Sequence, residues 1–178
     1  PPSDLLYVGR LEPDTGVREV VRAWELLQRE STTPLRAVIC GDGSLRDEIE
    51  AAVKRIGIEC AMPGMVGNVH AYLASARAVF VNSYLAIIEA LQADKPVFAV
   101  YHNELKKDYL TMMPGSGTYF AVASSPEALA DAVQEFWRGG RTPGHTAGHE
   151  WALRQTWGPV ADAYESLWAT QPTKVHSA

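Results

Sequence analysis

The sequence predicts an α/β protein in which helices cover both faces of a doubly wound, mostly parallel sheet of about six strands. Short, continuously apolar runs alternate with segments whose apolar residues recur at helical spacing. Strands without polar alternation are buried on both faces, which is typical of parallel sheets. The 178 residues are 47% hydrophobic and 21% charged, as in a single globular domain with a substantial core. These observations indicate a Rossmann-like fold.

The first half of the chain contains three predicted strands, each followed by a helix. The strands are the apolar runs at residues 5–9, 35–40 and 58–62. The helices have apolar side chains every three or four positions, over residues 17–27, 45–56 and 69–73. We expect Pro63 and Gly64 to form a turn after the third strand, and Asn68 to cap the third helix.

The second half repeats this pattern. Its predicted strands are residues 78–81, 96–101 and 118–123, and its predicted helices are residues 84–91, 103–111 and 128–138. Ser125 is expected to cap the last of these helices, with Pro126 at its first position. A loop over residues 139–148 and two closing helices follow. Residues 171–178 are expected to form a disordered tail.

Three features at the carboxyl ends of the strands could bind a ligand, because doubly wound sheets bind ligands at that edge. Arg10 follows the first strand and suits a phosphate, although a solvated surface Arg is an alternative. The glycine-rich residues 41–44 open a helix and could hold an anion, but a simple tight turn is favoured. Glu89 lies in an otherwise apolar helix, where its carboxylate needs either a ligand or a neighbouring cation.

Charge and composition exclude several classes of function. The net charge of −5 argues against a nucleic-acid partner, since such proteins usually carry a basic face. No run of about eighteen apolar residues is present, so no membrane-spanning helix is predicted. Cys40 and Cys60 match no metal motif, and we expect both to be reduced and buried, as in a cytoplasmic protein. His145 and His149 lie in a predicted loop without a third ligand, so no metal site is expected.

The beginning of the sequence carries its own expectation. There is no initiator Met and no signal peptide, and the first core strand is predicted to begin at Leu5. We therefore expect the chain to be a piece excised from a longer protein.

Six short segments follow one another in a distinctive order. They are YVGRLEP at residues 7–13, ICGDGSL at 39–45, GMV at 64–66, YLASA at 72–76, IEAL at 88–91 and PVFA at 96–99. Together they resemble the C-terminal domain of the retaining GT-B glycosyltransferases of family four. The resemblance implies that residues 1–170 are the nucleotide-sugar-binding domain, one half of a GT-B fold. An N-terminal acceptor domain would lie outside this chain.

The resemblance also implies roles for individual residues. Arg10 corresponds to the Arg that holds the donor diphosphate, and Glu89 corresponds to the Glu that binds the nucleotide ribose. Leu85 and Ala86 match positions whose backbone amides face the diphosphate. The other donor-binding positions are Thr15 and Gly16 in the first loop, Val66 and Asn68 in the nucleoside pocket, and Ser83 and Tyr84 at the helix start.

Two positions depart from the family pattern. The family usually has a Lys before the glycine of the first loop, but here Thr15 precedes Gly16, so one positive charge is missing. The family also carries an earlier Glu that touches the donor sugar. At the corresponding spacing before Glu89 the sequence has Val81, within a predicted strand, so no first Glu can be assigned.

The resemblance implies transfer of a sugar from a nucleoside diphosphate sugar to an acceptor, with retention of configuration. Arg10 and helix amides would stabilise the charge on the leaving diphosphate, so no metal or other cofactor is expected. The chain by itself is expected to be inactive, and the expected location is cytoplasmic. Peripheral membrane association is common in the family. The alternatives are a GT-B nucleotide-sugar epimerase and a non-catalytic Rossmann-like nucleotide-binding or interaction module.

Overall fold

Six strands form one parallel sheet in a computed structural model that describes residues 2–139 and 145–169. The strands are β1 Ser3–Val8, β2 Arg36–Cys40, β3 Glu59–Gly64, β4 Ala76–Phe80, β5 Val97–Val100 and β6 Ala121–Ala123. Their order across the sheet is β3-β2-β1-β4-β5-β6. The predicted parallel sheet of about six strands is therefore confirmed.

Eight α-helices and one short 3-10 helix, Pro13–Thr15, occur in the described residues. The α-helices are α1 Val17–Glu30, α2 Arg46–Ile56, α3 His70–Ser75, α4 Tyr84–Gln92, α5 Glu104–Thr111, α6 Pro126–Trp137, α7 His145–Leu153 and α8 Trp157–Ala169. Helices α1, α2 and α6 pack on one face of the sheet, and α3, α4 and α7 pack on the other. The sheet is thus covered on both sides, as the sequence predicted.

The alternation of side chains along the strands explains the two covered faces. In β1, Leu5 and Tyr7 belong to the core cluster under α1, while Leu6 belongs to the cluster under α4. All three side chains are almost completely buried. A strand buried on both faces must be apolar at every position, which is why these strands show no polar alternation in the sequence.

The order of the strands reverses between β1 and β4. The chain builds β2 and β3 on one side of β1, and then returns to place β4 on the other side, with Leu5 opposite Ala78. The loops that follow β1 and β4 therefore diverge and leave a crevice between them. Such a switch point is where doubly wound sheets bind their ligands.

Two boundary predictions in the first half are wrong. Pro63 and Gly64 form the end of β3 and not a turn, because β3 is an edge strand and an edge tolerates a residue without an N–H. Asn68 does not cap α3. Val69 occupies the cap position with helical backbone angles, and no side-chain cap forms there.

Two predictions in the second half are also wrong. Residues 118–120 precede β6, because the Tyr119 amide donates to the Gly115 carbonyl at 2.6 Å and closes a turn. The predicted loop over residues 139–148 ends earlier than expected, since α7 begins at His145. Residues 140–144 of that loop and the predicted tail at 171–178 lie outside the described residues.

The predicted Ser125 cap is confirmed by its hydrogen bond from the Ala128 amide.

The remaining sequence predictions concern the cysteines and the membrane. Cys40 is buried and Cys60 is partly buried, and both are free thiols. Burial raises the pKa of the Cys40 thiol to about 11, so this thiol stays protonated at neutral pH. Among the helices at residues 2–139 and 145–169, none combines the length and the apolar character that a membrane crossing requires.

Candidate functional site

A cavity of about 500 Å³ opens at the carboxyl edge of the sheet, at the switch point between β1 and β4. Its walls come from the segments that follow β1, β2, β3 and β4, together with one side chain from α5. Of the residues predicted from the sequence to bind a donor, Arg10, Thr15, Val66, Ser83 and Glu89 line this cavity.

The loop after β1 is held by hydrogen bonds that continue the strand pairing. The Gly9 amide donates to the Cys40 carbonyl at 3.1 Å, and the Leu11 amide donates to the Asp42 carbonyl at 2.9 Å. The Tyr7 hydroxyl donates to the Arg10 carbonyl at 3.0 Å. Burial raises the Tyr7 pKa to about 12, so this hydroxyl keeps the proton that it donates. The backbone of Arg10 is therefore fixed at the edge of the cavity.

The side chain of Arg10 is open to solvent. Its guanidinium binds the Asp14 carboxylate at 2.9 Å, and the two side chains are 64% and 69% exposed. An exposed ion pair of this kind contributes little stability, on the order of 0–1 kcal/mol. A ligand with a strongly charged oxygen can therefore displace Asp14 from Arg10 at small cost.

The glycine-rich loop after β2 binds a carboxylate of the protein itself. Glu12 accepts hydrogen bonds from the Ser44 amide at 3.0 Å and from the Ser44 hydroxyl at 2.6 Å, and these bonds lower the Glu12 pKa. A Cβ on Gly41 would lie 1.8 Å from the Gly9 carbonyl oxygen, so the close approach of the two loops requires glycine. These contacts favour the interpretation of residues 41–44 as a tight turn.

Asn82, which the sequence reasoning missed, joins the first loop to the sheet. It is buried at the end of β4, and its side-chain amide donates to the Thr15 carbonyl at 2.8 Å. Its Oδ1 accepts from the Val100 amide at 2.9 Å. The neighbouring Gly16 is buried with φ of +74°, and a Cβ there would lie 2.7 Å from the Asn82 Nδ2. Gly16 therefore serves the packing of this loop and does not line the cavity.

The start of α4 is only partly open to a ligand. Ser83 lines the cavity, and its side chain makes no capping hydrogen bond. The Tyr84 amide already donates to the Tyr109 hydroxyl at 2.7 Å. Leu85 and Ala86 do not line the cavity, although no side chain of the described residues accepts from their amides. The first amides of a helix have no partner within the helix, so these two remain available.

Glu89 is a half-buried carboxylate that lines the cavity. Within residues 2–139 and 145–169, its carboxylate has no hydrogen-bond or ion-pair partner. The alternative that a neighbouring cation neutralises Glu89 therefore finds no support among those residues. A carboxylate in this position can accept hydrogen bonds from two vicinal hydroxyls of a ligand.

The nucleoside positions predicted after β3 are only partly brought together. Val66 lines the cavity next to Met65 and Gly67, and it also packs against the core under α4. Asn68 is exposed and lies outside the cavity wall. Cys40 and Gly41, at the end of β2, complete this part of the wall.

Lys106 is a second cation at the cavity that the sequence reasoning did not identify. It lies in the first turn of α5, where the Asn103 side chain caps the helix by accepting from the Lys106 amide at 2.8 Å. Its Nζ donates to the Asn82 carbonyl and lies 4.7 Å from the centre of the Tyr109 ring. Burial lowers its pKa. Both Lys106 and Lys107 follow a strand, which is a signal for a ligand-binding residue, but the sequence could not show which of them lines the cavity.

No metal site is visible in the part of the chain that the structure describes. It contains no group of three or more His, Cys, Asp or Glu side chains that could hold an ion. The ring Nδ1 of His149 lies 3.2 Å from the Leu91 carbonyl oxygen, so this histidine links α7 to α4. The side chain of His145 is outside the described set.

The sequence matches the model of the family Glycosyl transferases group 1 over residues 1–145. The chain belongs to this family. A curated relative is the GalNAc-alpha-(1->4)-GalNAc-alpha-(1->3)-diNAcBac-PP-undecaprenol alpha-1,4-N-acetyl-D-galactosaminyltransferase of Campylobacter jejuni subsp. jejuni serotype O:2. It is 29% identical over 96 residues, which are 54% of this chain and 27% of the relative.

Solved glycosyltransferase structures share the fold. Anabaena HepE in complex with UDP superimposes with a TM-score of 0.75 at 16% identity, over 96% of this chain and 49% of that chain. The C-terminal domain of the group 1 family glycosyl transferase LpcC from Francisella tularensis gives a TM-score of 0.66 at 17% identity, over 87% of each chain. The chain thus spans 27% of this curated relative and 49% of HepE.

The fold and the family predicted from the sequence are therefore confirmed for this chain. The predicted roles of individual residues stay predictions, because likeness at such low identity establishes the fold alone. The structure nevertheless shows that Arg10 and Glu89 line the same cavity.

Proposed function

We propose that this chain is the donor-binding half of a GT-B glycosyltransferase that transfers a sugar from a nucleoside diphosphate sugar with retention of configuration. The observation that carries the proposal is the common cavity of Arg10 and Glu89 at the switch point, with the Glu89 carboxylate unpaired among the described residues. An anion-binding guanidinium and a hydroxyl-binding carboxylate suit the two ends of a ribose diphosphate.

In this proposal each group has one task. Arg10 exchanges Asp14 for the diphosphate and stabilises the negative charge that grows on it as the sugar leaves. The amides of Leu85 and Ala86 add the positive end of the α4 dipole. Glu89 holds the ribose hydroxyls, and Val66 with its neighbours contacts the base. HepE is described in complex with UDP, which makes UDP the first nucleotide to test.

The acceptor and any general acid or base are assigned to a second, N-terminal domain. Among the described residues at the cavity, Arg10, Asp14, Glu89 and Lys106 are the charged ones, and the first three already have roles in donor binding or ion pairing. We therefore expect the isolated chain to bind nucleotide without transferring sugar. No metal is required in this scheme, because the cationic side chains and the helix amides stabilise the leaving group.

Three observations favour a second candidate, a non-catalytic nucleotide-binding module. Thr15 stands where the family usually has Lys, Val81 stands at the spacing where the family has its first Glu, and Arg10 is engaged with Asp14. Such a module would bind the nucleotide without supporting transfer in the full-length protein.

Calorimetric titration of the chain with UDP, GDP and ADP tests the proposal. We expect at least one of them to bind, and Arg10→Met to weaken that binding by about tenfold, the usual loss for one charge-assisted hydrogen bond. Arg29→Met is the matched control, since Arg29 is also exposed and ion-paired one helical turn from its partner Glu25. Its affinity should equal that of the unchanged chain.

Absence of binding to all three nucleotides would overturn the proposal. Transfer of sugar by the full-length protein separates the transferase from the non-catalytic module, because only the transferase releases nucleoside diphosphate when donor and acceptor are both present.

A further inference from the structure

The environment of Lys106 differs from that of an ordinary surface lysine. The side chain is half-buried and forms part of the cavity wall that also contains Arg10 and Asp14. Its ammonium group has three donors, and one of them binds the Asn82 carbonyl. Within residues 2–139 and 145–169, the other two donors have no hydrogen-bond acceptor. A half-buried ammonium with unused donors at a cavity is suited to an anionic ligand.

The first loop and Lys106 are held by the same residue. The Asn82 side chain binds the Thr15 carbonyl at 2.8 Å, while the Asn82 backbone carbonyl binds the Lys106 ammonium. The ammonium is therefore presented close to the loop in which Thr15 carries no charge. Besides burial, which lowers the Lys106 pKa, the charge of Asp14 raises this pKa and the charge of Arg10 lowers it. Lys106 and Arg10 are therefore close enough for their charges to interact.

We propose that Lys106, presented from α5, is a diphosphate-binding residue that supplies the second positive charge of the donor site beside Arg10. This inference rests on the proposed function, because it assumes that the cavity binds a nucleoside diphosphate. Lys106 contacts the phosphate oxygens with its two unused donors and keeps its bond to Asn82. The charge that the first loop lacks at Thr15 thus comes from a helix two strands away across the sheet.

Lys107 provides a matched control on the same helix. Its side chain is 42% exposed, and its ammonium is already paired with Glu104 at 2.9 Å. It also lies outside the cavity wall. A general loss of positive charge on α5 would act through either lysine, whereas direct contact with a diphosphate requires Lys106.

The test compares Lys106→Met, Lys106→Arg and Lys107→Met in the full natural protein. Affinities are measured by calorimetry for UDP, GDP and ADP, and by nuclear magnetic resonance for the corresponding uncharged nucleosides. We expect Lys106→Met to weaken diphosphate binding by about tenfold, with unchanged nucleoside affinity, since only the phosphates meet the missing charge. Lys106→Arg should recover most of the loss, and Lys107→Met should change neither affinity.

Ionic strength gives a readout that a purely structural role of Lys106 would not change. Diphosphate affinity should fall less steeply with salt in Lys106→Met than in the unchanged protein, because one ion contact is lost. Equal losses for the nucleoside and the diphosphate, or an unchanged salt dependence, would overturn the inference and show that Lys106 only supports the fold. Circular dichroism and thermal unfolding establish that each variant is folded.

The outcomes also separate this inference from the proposed function. If the unchanged protein binds a nucleoside diphosphate and Lys106→Met binds it equally well, the inference is wrong and the proposed function stands. If the unchanged protein binds none of the three diphosphates, both are overturned.

Discussion

At the scale of single residues, the site depends on charged side chains that have few or exchangeable partners in the protein. Arg10 is engaged by an exposed carboxylate, Lys106 keeps two unused donors, and Glu89 is unpaired among the described residues. Leaving the half-buried Lys106 and Glu89 without full partners costs free energy, which supports the proposal that they bind a ligand. Arg10 and Glu89 could be found from the sequence because Arg10 directly follows an apolar strand and Glu89 interrupts an apolar helix.

The proposed contact of Glu89 with a ribose gives a prediction about hydroxyl groups. Glu89→Gln should weaken binding of the preferred nucleoside diphosphate by about tenfold or more, since charge-assisted hydrogen bonds are lost. The same substitution should have little effect on binding of the 2′,3′-dideoxy nucleotide, which has no hydroxyls to bind. Calorimetry of both proteins with both nucleotides forms a double-mutant-type cycle. Equal losses for the two nucleotides would exclude the ribose contact.

At the scale of elements, the cavity is shaped by loops that continue the pairing of the strands. The loop after β1 bonds to the loop after β2, and Asn82 at the end of β4 bonds to the first loop and to β5. A single buried amide therefore fixes three elements around the switch point. The exposed Asn68, which the sequence reasoning favoured as a helix cap, fixes none.

Replacement of Asn82 should therefore destabilise the domain. Asn82→Ala leaves the buried Val100 amide and the Thr15 carbonyl without their partners, and we expect a loss of about 2–3 kcal/mol in the free energy of unfolding. Asn68→Ala, as a matched control at an exposed position, should cost less than about 0.5 kcal/mol. Urea unfolding monitored by circular dichroism measures both. A loss for Asn82→Ala no larger than that of the control would contradict this account.

At the scale of the whole molecule, the apolar side chains of α8 are exposed to solvent in the part of the chain that the structure describes. Every residue of this helix is exposed, including Trp157 at 79% and Trp168 at 68%. The other described tryptophans, by contrast, are buried or partly buried. Under the proposed function, we expect the second domain of the same protein to pack against this apolar surface.

The proposed second domain gives a prediction about hydrogen exchange. The amides of α8 should exchange at least about tenfold more slowly in the full-length protein than in the 178-residue chain, because burial of two Trp rings opposes local opening. Mass spectrometry after hydrogen–deuterium exchange measures the rates, with the peptide from α6 as an internal reference. Equal exchange of α8 in both proteins would show that another surface contacts the second domain.

The sequence by itself determined the fold class and the order of the elements, and it predicted two charged residues that line the cavity. Continuous apolar runs and helical spacing are local patterns, and the carboxyl edge of a parallel sheet is known once the strands are known. The ends of several strands and helices were not predicted correctly. They depend on individual hydrogen bonds, such as the one from the Tyr119 amide to the Gly115 carbonyl.

Only the tertiary structure decided which polar groups remain available to a ligand. Asn82 bonds to Thr15 across 67 positions, and Tyr109 occupies the Tyr84 amide across 25. Lys106, and not Lys107, reaches the cavity because α5 packs beside the end of β4. Such contacts join residues that are far apart in the chain, and their geometry depends on how whole elements pack, which no local pattern records.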